Sequence, residues 1–182
     1  MNRMYVAMLI LIVMAVALGP VCMQAQTQRP RQGPDVRPGI NLRRPDLVVT
    51  SFVATGPAVI VNGAAELPVK VMVKNQGNGA AAVFKVAVEY TLPGGGGPFV
   101  VAFDVAGEAS NWYPSTDAAL AAGKSASFSG RLKFNPATRG ARVSLRAIAD
   151  SCSGDEFMED YCRVRESNEL NNRSAAWWVA LP

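Results

Sequence analysis

Four stretches of this chain alternate apolar and polar residues with a period of two, the pattern of a strand with one face in a core and the other in water. In Leu67-Pro68-Val69-Lys70-Val71-Met72-Val73-Lys74 the odd positions are apolar and the lysines point away. Phe84, Val86, Val88 and Tyr90 share a face opposite Lys85 and Glu89. Ala126, Phe128, Leu132 and Phe134 oppose Ser125, Ser127, Ser129, Arg131 and Lys133, and Val143, Leu145, Ala147 and Ala149 oppose Arg142, Ser144 and Arg146. Turn residues punctuate the chain at Gly77-Asn78-Gly79, at Gly94 through Gly97 followed by Pro98, at Ala122-Gly123-Lys124 and from Asn135-Pro136 to Gly140. Strands are expected over 47–54, 68–74, 83–92, 99–105, 125–134, 142–150 and 175–181, with a short extra edge at 58–61. Beyond the N-terminal segment no window sustains a helical period, so the pattern predicts an all-β sandwich of about seven antiparallel strands, each with one wet face. Val71, Val86, Phe128 and Leu145 belong in its core; Lys70, Lys85, Ser127 and Arg146 belong in solvent.

Three short motifs frame this region: Pro45-Asp46-Leu47-Val48-Val49-Thr50 at its start, Val73-Lys74-Asn75-Gln76-Gly77 in its middle, and Glu166-Ser167-Asn168-Glu169-Leu170-Asn171-Asn172 before the last strand. With these residues the chain, from about residue 45 to the C-terminus, resembles the CARDB family of bacterial and archaeal extracellular modules. The resemblance implies an immunoglobulin-like sandwich and an adhesion-related or accessory role without catalysis. Read without it, Asn168 to Asn172 is a turn motif, because Asn side chains mimic a backbone turn and tolerate left-handed geometry. Asn172-Arg173-Ser174 also fits the N-glycosylation pattern, at a place where a strand begins.

The N-terminus reads Met1-Asn2-Arg3, an apolar run from Met4 to Val21, then Cys22-Met23-Gln24-Ala25-Gln26. A positive start, an apolar middle and small residues after it describe a secretory signal peptide over 1–25, cut after Ala25. The alternative is an uncleaved anchor, since the run approaches the length of a spanning helix. A polar Gln/Arg/Pro segment follows at once and no stop-transfer block precedes it, which favours cleavage and leaves no membrane span. Gly19-Pro20-Val21 lacks the small residue expected just before a lipidated cysteine. Residues 26–44 carry Arg29, Arg31, Arg37, Arg43 and Arg44 among Pro, Gln and Gly, and read as a semi-extended linker before a sandwich domain at 45–182. They hold much of the formal charge of +4. With no aromatic residue between the arginines, they read as a solvated tether and argue against a nucleic-acid partner.

Of three cysteines, Cys22 leaves with the signal peptide, and Cys152 and Cys162 remain as an even pair in an exported, secreted or periplasmic chain. Their spacing fits neither a CxxC redox motif nor a zinc site, so a structural disulfide is expected. The loop they bracket is acidic and holds Asp155, Glu156, Phe157 and Tyr161, a candidate binding surface. Carboxylates with asparagines nearby are the donor set of a hard cation, so Asp150, Glu166, Glu169 and Asn171 are candidate calcium ligands, although their spacing matches no EF-hand; no other cofactor is expected. The chain has no histidine, which removes the commonest acid/base and metal constellations. Nothing fits G-x-S-x-G, and acids on one loop do not form the two sides of a glycosidase cleft. Gly94 to Gly97 lacks the helix and the Lys-Ser/Thr pair of a phosphate loop. Of Trp177 and Trp178, adjacent on a strand, one belongs in the core and the other outside. The expected function is a non-enzymatic contact module meeting a protein or a cell-surface polysaccharide. A purely structural envelope module and a small hydrolase are the alternatives.

Overall fold

The computed structural model describes residues 43–106, 112–151 and 162–182. The signal segment, Cys22, most of the linker, Cys152 and the candidate surface Asp155, Glu156, Phe157 and Tyr161 lie outside the described residues. Strands occupy β1 (Leu47–Ala54), β2 (Val59–Val61), β3 (Ala64–Asn75), β4 (Val86–Thr91), β5 (Phe99–Val105), β6 (Ser125–Lys133), β7 (Arg142–Ala149) and β8 (Trp177–Ala180). The only helical element among the described residues is a 3-10 turn, Pro136–Thr138, capped by Asn135, whose Oδ1 accepts from the Ala137 N–H at 2.9 Å.

All pairings are antiparallel, in the order β1-β3-β6-β5-β4-β7-β8, with β2 on the edge of β3. Strand β5 serves both layers: Phe99 to Val101 pair with β4, and Ala102 to Val105 pair with β6. The sheet thereby folds over on itself into an immunoglobulin-like sandwich, with the inner residues of both layers forming one core. The period-two expectation holds across that core. Val71, Val86, Phe128 and Leu145 are buried, and Ser127 and Arg146 are exposed. Lys70 and Lys85 are half-buried, with the Lys85 ammonium 5.7 Å from the centre of the Tyr113 ring. Aromatic edges knit the layers: Phe84 meets Phe128 at 6.3 Å, and Tyr90 meets Phe134 at 5.8 Å.

Two local features depart from simple alternation. In β1 the register slips between Val49 and Ser51, so the inward side changes from odd residues (Leu47) to even ones (Phe52). Strand β3 begins earlier than the pattern predicts, because Ala64, Ala65 and Glu66 pair with β2 across a two-residue Asn62-Gly63 turn in which both residues have positive φ, 48° and 81°. At its far end the inward row Ala65, Leu67, Val69, Val71, Val73 finishes in a polar residue, Asn75, with 0% exposure.

Candidate functional site

The three framing motifs meet at one pole of the sandwich, and hydrogen bonds show what each does there. Asn75 uses its whole side chain: Oδ1 accepts from the N–H groups of Asp46 and Gly77, both at 3.1 Å, while Nδ2 donates to the carbonyls of Gly79 (2.8 Å) and Leu120 (2.9 Å). The turn after it lies so close to the start of β1 that a Cβ on Gly77 would overlap the backbone of Arg44 and Pro45. Asp46 accepts from the Gln76 amide at 3.0 Å and from the Asn171 amide at 2.8 Å. Leu47 N–H donates to Oε2 of Glu166, whose Oε1 accepts from the Asn172 amide at 2.9 Å. Ser167 N–H donates to the Pro45 carbonyl at 2.9 Å. The Asn-rich segment closes on itself as a turn: Asn168 Oδ1 accepts from Leu170 N–H at 3.1 Å, and Glu169 Oε1 from Glu166 N–H at 2.7 Å. Asn172 is buried with its amide nitrogen engaged, so the glycosylation pattern there presents no accessible acceptor.

Of the candidate calcium ligands, Asp150, Glu166 and Glu169 accept hydrogen bonds from the protein itself, whereas Asn171 engages only its amide nitrogen. Asp150, in left-handed geometry at φ 50°, accepts from the N–H groups of Arg163 (3.2 Å) and Val164 (2.9 Å). Burial pushes its carboxyl above the usual range, against the pull of those donors. Glu166, 3% exposed, is pushed from 4.5 to about 8, chiefly by burial and then by the nearby charges of Glu169 and Asp150, with the Leu47 and Asn172 donors opposing. Among the described residues no three acidic or cysteine side chains gather in a group suited to a metal ion. The amide oxygens of Asn171 and Asn172 are buried without a hydrogen-bond partner. Cys162 is half-buried and engaged with a partner.

The aromatic pair at 177 and 178 divides as expected. Trp177 packs on Phe52 at 5.3 Å, while Trp178 is 49% exposed on the outer face of the β4–β7–β8 layer. Register places Glu89 beside Arg146, Thr91 beside Ser144, and Ser144 beside Trp178 on that face. The Arg142 guanidinium lies 5.3 Å from the Trp178 ring centre, and Arg173 pairs with Glu89 at 3.4 Å. A cavity of about 310 Å³ opens there between Glu89, Thr91, Ser144, Arg146 and Arg173. Neither Arg142 nor Arg146 has a carboxylate partner among the described residues.

No family model matches the chain, and no curated protein does. Among solved structures, the CARDB domain of a Pyrococcus furiosus protein, in complex with di-metal ions, is matched over 75% of this chain and 88% of that one, at 25% identity and a TM-score of 0.43. The chain is similar to a CARDB domain. In this CARDB-like sandwich two things escaped the reading of residues alone. Asn75 stands in a quoted motif, yet its role depends on Asp46 and Leu120, which no local pattern connects to it. The basic face around Trp178 is assembled from three strands, and only their register brings it together.

Proposed function

We propose that the chain is an exported, non-catalytic module that makes contact with a protein or polysaccharide at the cell surface through the outer face of the β4–β7–β8 layer. The observation that carries this reading is the half-exposed Trp178 on an open sheet face, flanked by Arg142 and Arg146. Rigid, amphipathic indole and arginine groups are the side chains that concentrate binding energy at contact surfaces. Asp150, Glu166 and Glu169 support it by contrast, since much of their hydrogen-bonding capacity holds the chain together at the pole where the framing motifs meet. Export is supported by the charged start, the apolar run and the paired cysteines.

The test is retention of the fluorescently labelled chain on envelope preparations of the cells that express it. Saturable retention that falls when Trp178 is changed to Ala is the expected result. Retention that never saturates, or that ignores this substitution, removes the reading.

A further inference from the structure

We infer that the outer face of the β4–β7–β8 layer is a binding site for an acidic polysaccharide whose hydroxylated rings carry carboxylates. This rests on the contact-module reading and names the ligand class.

Charge comes first. Among the described residues, Arg142, Arg146 and Arg173 face one way with a single carboxylate, Glu89, which Arg173 already pairs. Two guanidinium groups therefore lack a carboxylate among the described residues, and a planar guanidinium fork matches a carboxylate in shape as well as charge. Shape comes second: the cavity of about 310 Å³ is lined by Glu89, Thr91, Ser144, Arg146 and Arg173, with Trp178 directly across from Ser144. Such a volume lies at the small end of ligand sites. Its hydroxyl and carboxylate lining suits a hydroxylated ring, and an indole at its margin offers a flat apolar platform.

Glu89 decides between two polyanions. A carboxylate beside the arginines accepts hydrogen bonds from sugar hydroxyls, whereas it repels a phosphodiester backbone that offers it no donors. Length follows from the strand. Arg142 and Arg146 are four residues apart on one face of β7, a separation of about 13 Å at ~3.3 Å per residue, so one sugar ring cannot reach both and an oligomer can.

The test uses the purified chain in calorimetric titrations against oligogalacturonates, with galacturonate monomer, neutral dextran oligomers and single-stranded DNA as comparisons. Oligogalacturonates should bind, the monomer at least roughly tenfold more weakly, and dextran not at all. Arg146→Gln and Trp178→Ala should each weaken oligomer binding by roughly tenfold or more, with Arg142→Gln affecting the oligomer but not the monomer. The arginines of residues 26–44 are present in every variant, so they cannot produce these differences. Dextran binding as tight as oligogalacturonate, tighter binding of DNA, or full affinity in both arginine variants overturns the proposal. If Trp178→Ala perturbs the thermal melt, Trp178→Phe and the two exposed arginine positions carry the comparison. Envelope retention that oligogalacturonate fails to compete sinks the ligand class alone, whereas no saturable retention sinks the contact module as well.

Discussion

Replacing Asn75 by Asp changes almost no volume and reverses two hydrogen bonds. The wild-type amide donates to the carbonyls of Gly79 and Leu120 and accepts from the N–H groups of Asp46 and Gly77, with no exposure to water. A carboxylate keeps the two accepting bonds but turns an oxygen toward two carbonyl oxygens. Two lost hydrogen bonds cost about 2 kcal/mol, and the buried Gly79 carbonyl, left without a donor while that of Leu120 keeps the Ala81 N–H at 2.9 Å, adds ~1 kcal/mol or more, so the expected loss is ~3 kcal/mol or more. That is a large fraction of the stability of an ordinary domain. Asn75→Ala loses all four bonds at about 1 kcal/mol each and should fall in the same range. Asn78, exposed and accepting only from Arg44 N–H at 2.9 Å, is the control, and its replacement by Ala should cost less than ~1 kcal/mol. Urea unfolding followed by tryptophan fluorescence measures all three, with an unchanged slope showing that only stability has moved. Protonation should partly rescue the Asp variant, since a neutral carboxyl regains one donor, so its deficit should shrink at low pH. An Asp variant within ~1 kcal/mol of wild type at neutral pH, or a deficit no larger than that of Asn78→Ala, would refute the account of Asn75 as the hub of this pole.

Other expectations follow from the same geometry. Because Glu166 holds its proton to about pH 8 when folded and releases it near 4.5 when unfolded, the folded state binds more protons between those values; stability should fall as pH rises through that window, by at most about 5 kcal/mol, and level off above it. Asp150 shifts in the same direction, and Glu166→Gln should flatten most of the slope in melts recorded from pH 5 to 9; a stability that rises with pH would reverse the assignment. Phe128→Ala should destabilise by about 3–5 kcal/mol and Ser127→Ala hardly at all, with equal losses in denaturant titrations showing the wrong face of β6 assigned to the core. Intact-mass measurement after alkylation, with and without reductant, should find one bridge joining Cys152 to Cys162; two alkylated thiols in unreduced exported protein would end that expectation, and Cys152→Ser should cost about 1–3 kcal/mol.

The strands were legible because their side chains alternate, and alternation is a local property. Strands β1 and β5 were expected at 47–54 and 99–105 and occupy those residues. Where pairing is set by distant chain, the expectation drifted. Strand β3 is lengthened by its β2 partner, and Phe84 and Lys85 leave the β4 ladder because Thr116 and Ser115 bond and bridge to them. The Asn62-Gly63 turn was legible as a dipeptide and went unread. The acidic character of residues 150–169 was plain in the sequence, but its use was not: whether a carboxylate faces water, a cation or a backbone N–H depends on what the chain 119 residues earlier places against it, as Leu47 does for Glu166.

The chain joins β1 at the pole where Asn75, Glu166 and Asn172 meet, and leaves β8 at the other, where Leu181 N–H donates to Ala141 and Gly140 N–H to Pro182. A pull on the two ends therefore runs along the strands and not across them. Under such a load the seven residue pairs that join β1 to β3 must slide together, because none can peel away before its neighbours. The Leu47–Glu166 and Ser167–Pro45 bonds act as a further latch at the loaded end. A module anchored at one end and held at the other would resist tension by shear, the geometry in which backbone hydrogen bonds share force instead of breaking in turn.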